Sequence, residues 1–285
     1  MKRQSFESIE RGYNLCKRNG VGILSAEAFS RIQGIDHGFS TRIGGVSPSP
    51  YDSLNLSLTR DDSKENVLRN YRIFFEAAGL DIDGSVLVNH EHGATVLSVD
   101  HRNCGQGLFK APLPFCDGLV TNDPAVTLVT LHADCGCVYL YDPIKRAIGL
   151  AHAGWKGTYK RIARRLVERM REEFSSEPED IYASLGPCIC QKCFEVDESI
   201  ADDFVREFSC EAIKKSGKKG KAFVDIESAL IIQLSDSGVK IENISSMGIC
   251  TFERDDILFS YRRDRGATGA MIGYLKLSDD ISVSI

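Results

Sequence analysis

The clearest pattern in this chain is a series of short apolar runs that are separated by turns. Residues 125–131, 138–141 and 147–151 are continuous apolar or β-branched runs, a pattern typical of strands that are buried on both faces. Further runs predict strands at 85–88, 94–99, 181–185 and 269–277. The chain is therefore expected to contain a buried sheet.

Between several of these predicted strands, the apolar residues recur at the spacing of a helix. Residues 63–78 begin with an acidic turn and carry apolar side chains about three to four positions apart, which predicts a helix. Similar spacing predicts a helix at 158–174, and two more are expected at 198–208 and 225–235. The strands and helices together predict an α/β fold. No long linker divides the chain, so we predict a peripheral leader at residues 1–30 and a single domain at residues 31–285.

Composition and charge exclude several classes of function. The chain has 285 residues and a formal net charge of -5, which argues against wrapping a nucleic-acid polymer but permits small anionic ligands. No apolar run reaches the roughly 18 residues of a membrane span, so no membrane partner is expected. Ten cysteines without an apolar signal region predict free thiols in a reducing compartment, and hence a cytoplasmic protein. The basic segment 214–221 is interpreted as a solvated loop.

Three residues have the chemistry of a catalytic metal site. Cys135 and His152 lie at the ends of predicted strands, and His92 belongs to the earlier segment N-H-E-H-G. One thiolate and two imidazoles are ligands that a catalytic zinc takes when its fourth position stays open. Such a metal lowers the pKa of a bound water towards about 7. Taken singly, each residue is equally compatible with a buried thiol or a structural histidine.

Other polar residues are candidates for orienting these ligands, transferring protons or binding an anion. Asp134 precedes Cys135 and could orient a ligand or shuttle a proton, and His90 and His132 are possible outer groups. The segment G-W-K-G-T opens a predicted helix, where free backbone N–H groups favour anions. Guanidinium groups match phosphate oxygens, although each arginine alone fits a surface ion pair equally well. The candidate anion contacts are Arg42, Gly154, Lys156, Gly157, Thr158, Arg262 and Arg263.

A cysteine cluster follows the strand at 181–185. The segment C-I-C-Q-K-C contains Cys188, Cys190 and Cys193. It has one C-x-x-C pair and no second pair, so we interpret these residues as ordinary thiols and not as a second metal site.

Several longer motifs occur in a characteristic order along the chain. They are H-G-F-S-T-R-I-G-G-V-S, E-H-G, D-G-L-V-T, H-A-D-C, A-H-A-G-W-K-G-T, L-G-P-C-I, F-E-V-D and F-S-Y-R-R-D. This series resembles the laccase-domain family, also called the multicopper polyphenol oxidoreductase, purine nucleoside phosphorylase or peptidoglycan-editing factor family. The resemblance extends from about Gly34 to Leu277.

The resemblance implies a fold, a metal and a set of substrates. The implied fold is a single-domain, layered α/β sandwich similar to the deamidase domain of cytotoxic necrotising factors. The implied metal is zinc, held by His92, Cys135 and His152, with copper as a metal that can bind in vitro. The implied activities are phosphate-dependent cleavage of adenosine, inosine, guanosine and S-methyl-5'-thioadenosine, together with adenosine deamination.

Three positions depart from the pattern of that family. The family often has glutamine-variable-histidine-glycine where this chain has His90-Glu91-His92-Gly93, and the charge of Glu91 could perturb the metal site although His92 is kept. Ala270 replaces a usual arginine, so a phosphate or substrate contact is in doubt. Residue 137, often a proline or a hydrophobic residue, is Cys137.

We therefore predict a zinc-dependent purine nucleoside phosphorylase with adenosine deaminase activity, acting as a monomer or weak dimer on nucleosides and phosphate. Arg42, Asn55 and Asp134 are the predicted catalytic residues. A cysteine amidase or peptidoglycan-precursor editing enzyme is an alternative, with Cys135 as nucleophile and His152 as base. A copper polyphenol oxidase is another, although six histidines are few for a multicopper centre. The third alternative is a non-enzymatic partner of cell-wall or division proteins.

Overall fold

The computed structural model describes residues 9–208 and 212–278. Its strands are β1 (Glu10–Arg11), β2 (Tyr13–Arg18), β3 (Val21–Ala26), β4 (Ile35–Ser40), β5 (Ser85–Leu87), β6 (Val96–Ser98), β7 (Gly118–Thr121), β8 (Thr127–His132), β9 (Gly136–Asp142), β10 (Ala147–Ala153), β11 (Tyr182–Leu185), β12 (Glu195–Asp197), β13 (Ile213–Lys215), β14 (Lys221–Val224), β15 (Ile244–Ser246) and β16 (Met271–Leu277). Its α-helices are α1 (Lys64–Ala78), α2 (Trp155–Tyr159), α3 (Ile162–Phe174), α4 (Glu198–Phe208) and α5 (Ile226–Asp236). In this described part, no helix is both long and apolar enough to cross a membrane.

Two large mixed sheets form the centre of the described chain. One has seven strands in the order β1-β15-β11-β9-β10-β7-β6, and the other has six in the order β2-β3-β4-β16-β8-β5. A smaller sheet, β12-β14-β13, stands apart from both. The strands of the large sheets run in both directions, because β9 and β10 pair antiparallel whereas β6 and β7 pair parallel.

Alternating side chains divide the molecule into layers. On β9, Tyr139 packs between the two large sheets, whereas Val138 and Leu140 face the opposite way into a core shared with α3 and α5. On β16, Leu275 packs between the sheets and Ile272 packs with α1 on the far side. This period of two gives a layered α/β sandwich, as predicted. Similarity to the necrotising-factor deamidase domain stays a prediction.

Local chemistry explains where the predicted helices begin and end. Ser63 caps α1 by accepting a hydrogen bond from the Asn66 N–H, and Gly79 ends it in a left-handed conformation.

The single helix predicted at 158–174 is instead divided into α2 and α3. Arg161 interrupts it with a φ of 63°, and its guanidinium binds Glu207.

The predicted leader needs correction for the part that the structure describes. Residues 10–26 are not peripheral, because β1 joins the seven-stranded sheet and β2 and β3 join the six-stranded sheet. Val21 and Leu24 on β3 are fully buried. Apolar packing therefore makes this segment part of the domain, and the predicted boundary at residue 30 crosses a continuous core. Residues 1–8 of the predicted leader lie outside the described residues.

Candidate metal centre and active site

An antiparallel hairpin brings two of the predicted ligands together. Strand β9 begins at Gly136, immediately after Cys135, and β10 ends at Ala153, immediately after His152. Gly136 pairs with Ala153 in the β9–β10 ladder. Residues next to a ladder end share one edge of the sheet, so Cys135 and His152 meet although 16 residues separate them along the chain.

His92 completes the group from the loop between β5 and β6. The ligand atoms of His92, Cys135 and His152 all lie within 4.8 Å of one another. His152 is buried, Cys135 is partly buried and His92 is exposed. His92 also has a φ of 58°, a left-handed conformation that is uncommon for residues other than glycine. The cluster is thus closed on the His152 side and open to solvent on the His92 side.

Asp117 fixes the positions of His152 and of the backbone around His92. Its Oδ1 lies 2.9 Å from His152 Nδ1, and its two oxygens accept hydrogen bonds from the backbone N–H groups of Glu91, His92 and Gly93. The Asp117 side chain is fully buried. One carboxylate therefore orients both histidines and leaves His152 Nε2 free to bind a metal.

Charge within the cluster shifts the pKa of both hairpin residues. Desolvation opposes ionisation of the Cys135 thiol, but His152 and His92 outweigh it and lower the thiol pKa to about 7. Desolvation also opposes the imidazolium of His152, but Cys135 and Asp117 raise the pKa of that residue to about 9. The site therefore favours a thiolate, the form of cysteine that binds metals and acts as a nucleophile.

Gly154 allows the backbone to approach all three ligands. A Cβ at this position would lie 3.1 Å from Cys135 Sγ, 3.3 Å from His92 Cδ2 and 3.5 Å from His152 Cε1. Gly154 is also the N-cap of α2, which contains Lys156, Gly157 and Thr158. The predicted G-W-K-G-T turn is thus the start of a short helix beside the cluster.

Two hydrogen bonds from the C-terminal part of the chain fix the Asp134 carboxylate next to the cluster. Its Oδ1 accepts from Thr251 Oγ1 at 2.7 Å and its Oδ2 from the Arg262 N–H at 2.7 Å. Asp134 has a φ of 100°, an unusual conformation for a non-glycine residue. The structure thereby brings the Asp134 carboxylate to the backbone of Arg262. The Arg262 side chain itself donates to the Glu195 carbonyl and lies over Phe194.

Comparison with known proteins identifies the family of this chain. Residues 36–278 match the family described as multi-copper polyphenol oxidoreductase laccase. The chain belongs to this family. The predicted family membership is confirmed, and His92, Cys135 and His152 all lie within the matched region.

Individual members of the laccase family resemble the whole domain. Purine nucleoside phosphorylase YlmD of Bacillus subtilis is 36% identical over 246 residues, which cover 85% of this chain and 88% of that protein. A purine nucleoside phosphorylase of Deinococcus radiodurans is 37% identical over 237 residues, covering 83% and 87%. The crystal structure of YlmD from Geobacillus stearothermophilus aligns with a TM-score of 0.85 at 31% identity, covering 91% of this chain and 97% of that chain.

Two predicted catalytic residues of this laccase-family chain are already engaged by protein groups. Arg42 donates to the carbonyls of Asp52 and Asp255 and pairs with the Asp52 carboxylate at 3.1 Å. The buried Asn55 donates to Asp62, and its Oδ1 accepts from the N–H groups of Ser57 and Ala270. Their roles with substrate stay predictions, and a phosphate at Arg42 would compete with Asp52.

Positions that depart from the laccase-family pattern also have defined surroundings. The Glu91 carboxylate accepts from Thr95 Oγ1 at 2.9 Å and is not one of the three grouped donors. Ala270 is buried and its carbonyl accepts from Leu56 N–H at 3.0 Å. Cys137 is buried on β9, where desolvation raises its thiol pKa to about 12.

Two further histidines, His90 and His132, pack against His152. The ring centroids of His90 and His132 lie 4.2 Å and 5.6 Å from that of His152. Burial lowers the pKa of both residues well below the ordinary value, so both stay neutral. His132 Nδ1 lies 3.1 Å from the Cys135 carbonyl oxygen and its Nε2 lies 2.7 Å from Thr130 Oγ1. His132 therefore supports the backbone of Cys135.

Proposed function

We propose that this chain is a zinc-dependent purine nucleoside phosphorylase that also deaminates adenosine. The observation that carries the proposal is the convergence of His92, Cys135 and His152 within 4.8 Å at a site that is open on one side. The phosphorylase names of its relatives in Bacillus subtilis and Deinococcus radiodurans support the substrate class. The proposed substrates are adenosine, inosine, guanosine and S-methyl-5'-thioadenosine, each with inorganic phosphate.

The donors of the cluster fit a zinc ion. A thiolate and two imidazoles match a catalytic zinc site that keeps one position for water or substrate. Asp117 Oδ1 engages His152 Nδ1, so Nε2 is the atom that a metal would take in place of its proton, and Gly154 leaves the space that a side chain would fill. A zinc ion bound here supplies a Lewis acid and lowers the pKa of a bound water.

The residues around the cluster suggest how the chain itself promotes phosphorolysis. Phosphate attacks ribose C1' as the C1'–N9 bond breaks, and the departing purine takes up a proton. Asp134 is held firmly enough to position a substrate group or pass that proton. The predicted anion contacts at Arg42, Arg262 and the 154–158 segment would orient phosphate, and Asn55 would position the substrate.

A cysteine hydrolase is the second candidate. Asp117, His152 and Cys135 follow one another in contact, and the thiol pKa of about 7 suits a nucleophile. His92 distinguishes the two functions, because a thiol nucleophile paired with His152 needs no third donor. The metal function is preferred for this reason.

Product chromatography tests the proposal. Adenosine is incubated with the purified chain with and without phosphate, and adenine, ribose 1-phosphate and inosine are separated. Adenine with ribose 1-phosphate should appear only with phosphate, whereas inosine should appear in both. Adenine release at full rate without phosphate would identify a nucleoside hydrolase instead. No turnover of nucleosides, combined with rapid alkylation of Cys135 in zinc-containing buffer, would favour the cysteine hydrolase.

The setting of the enzyme is part of the same proposal. Nine cysteines of the described residues are free, as expected for a reducing compartment such as the cytoplasm. The proposed partners are small nucleosides and phosphate.

Copper bound at the cluster, together with oxidation of phenols, would support the laccase alternative.

A further inference from the structure

A second group of metal-binding side chains lies outside the cluster formed by His92, Cys135 and His152. The Sγ atoms of Cys190, Cys193 and Cys250 all lie within 4.8 Å of one another. Cys250 comes from a segment 57 residues away from Cys193, so the sequence spacing of the C-x-x-C pair gave no sign of it. All three thiols are free, and Cys190 and Cys193 are partly exposed.

The backbone holds these three thiols in a defined arrangement. Cys190 caps a short 3-10 turn at Gln191–Cys193, and its carbonyl accepts from the N–H of Cys193 at 3.0 Å. Cys188 and Cys250 form a parallel β-bridge that joins the two segments. The Cys190 N–H donates to Cys250 Sγ at 3.3 Å. This contact fixes where the Cys250 sulfur lies relative to Cys190.

The spacing of the thiols is close to that of a metal site. Zinc–sulfur bonds of about 2.3 Å in tetrahedral geometry place sulfur atoms roughly 3.8 Å apart. The observed limit of 4.8 Å requires only a small contraction around an ion. Glu253 is exposed, and its Oε1 lies 4.0 Å from Cys193 Sγ, so a fourth oxygen donor is at hand. Soft thiolates with one oxygen donor suit zinc better than magnesium or calcium.

We propose that Cys190, Cys193 and Cys250 bind a second zinc ion, with Glu253 or a water molecule as the fourth ligand. This site is separate from the His92–Cys135–His152 cluster and shares no ligand with it. With Glu253 in the fourth position the zinc would have four protein ligands and no open position for a substrate, so the second zinc has a structural role.

The structural role concerns Asp134. The neighbour of Cys190, Ile189, donates its N–H to the Asp134 carbonyl at 2.9 Å. The neighbour of Cys250, Thr251, donates its hydroxyl to Asp134 Oδ1 at 2.7 Å. A metal that ties Cys190 to Cys250 therefore ties together the two segments that hold Asp134 beside the candidate active site. Zinc binding by Cys190, Cys193 and Cys250 does not depend on which reaction the candidate active site performs.

Metal analysis of the full-length chain tests this proposal. The wild-type chain, purified with zinc and without chelator, should contain about two zinc ions. Cys193→Ser and Cys250→Ser should each lose about one ion, and Cys135→Ser should lose the other. Cys188→Ala is the matched control, because Cys188 is a buried thiol in the same segment and is not one of the three grouped donors. It should keep both ions.

Cobalt substitution keeps the test independent of how well the variants fold. The wild-type protein loaded with Co²⁺ should show a thiolate-to-metal charge-transfer band whose intensity requires about four thiolates over two sites. A band that accounts for one thiolate only, or a wild-type zinc content of about one that Cys193→Ser does not change, would overturn the proposal. A Cys190–Cys193 disulfide found by mass spectrometry in protein kept under reducing conditions would overturn it as well.

Discussion

Asp117 Oδ1 lies 2.9 Å from His152 Nδ1, and both side chains are buried at the base of the predicted metal site. The same carboxylate accepts from the N–H groups that flank His92. Asp117 thus couples the positions of two ligands that are 60 residues apart in the sequence. A buried carboxylate with this many partners is costly to replace, since each partner would be left without an acceptor.

Asp117→Asn should weaken zinc binding by about ten- to a hundredfold, because an amide NH₂ would face the backbone donors of Glu91 and Gly93. Competition with a chromophoric chelator measures the affinity. Asp123→Asn is the matched control, since Asp123 pairs with the exposed His101 at 2.8 Å and is not one of the grouped donors. Equal zinc affinity in Asp117→Asn and the wild type would show that Asp117 does not orient the zinc ligands.

Gly154→Ala should also weaken zinc binding, by about tenfold or more. The new methyl group would press on Cys135 Sγ at 3.1 Å and on His92 at 3.3 Å, and overpacking of this kind costs about 1–3 kcal/mol. Gly217→Ala is the control, because no atom lies within 4 Å of a Cβ at that exposed position. Unchanged zinc affinity, measured by the same chelator competition, would show that the ligands do not need this space.

Arg42→Ala should lower adenine release more than inosine formation, because only phosphorolysis uses phosphate. Loss of a charged contact of this kind costs about 1.5–3 kcal/mol, or roughly ten- to a hundredfold in rate. Asp52→Ala is the control, since it removes the ion-pair partner of Arg42 and leaves the guanidinium. Equal loss of both products in Arg42→Ala would make Arg42 a structural residue or a general substrate contact.

His37 should make folding stability depend on pH. Desolvation lowers the His37 pKa to about 4, and its Nε2 accepts from the Ala26 N–H at 3.0 Å. An unfolded histidine has a pKa of about 6.5, so the unfolded chain binds more protons between these values. The contribution of neutral His37 is therefore complete above about pH 6.5 and is lost as the pH falls towards 4.

This dependence is measured by denaturant unfolding of the wild type and His37→Gln. From about pH 8 to about pH 5, the wild type should lose about 2 kcal/mol more unfolding free energy than the variant. Comparison with the variant cancels the contributions of the other buried histidines. The same pH dependence in both proteins would contradict a neutral His37. His101→Gln, at an exposed position, should behave as the wild type does.

Local sequence patterns predicted much of the fold. The helix predicted at 63–78 was found as α1, because Ser63 and Gly79 supply both caps in the sequence itself. The predicted strands at 138–141 and 147–151 were found in β9 and β10. The break at Arg161 and the incorporation of residues 10–26 were missed, because both depend on tertiary partners such as Glu207 and the pairing with β4 and β15.

The candidate site was predictable where residues carry their own chemistry. His92, Cys135 and His152 were named from residue type and strand ends, and the structure brings them together. Asp117 and Cys250 were missed, because their roles come from pairing between distant strands and not from local spacing. The motif D-G-L-V-T did contain a signal, since an aspartate that enters a buried strand requires partners.

The most direct test of the account is the phosphate-dependent release of adenine by the wild type and by Cys135→Ser, measured by product chromatography with zinc content determined on the same samples. Wild-type protein should form adenine and ribose 1-phosphate only with phosphate. Cys135→Ser should lose this activity by at least about a hundredfold together with the zinc of this site. Adenine formation at the wild-type rate in a Cys135→Ser protein that lacks this zinc would contradict the account.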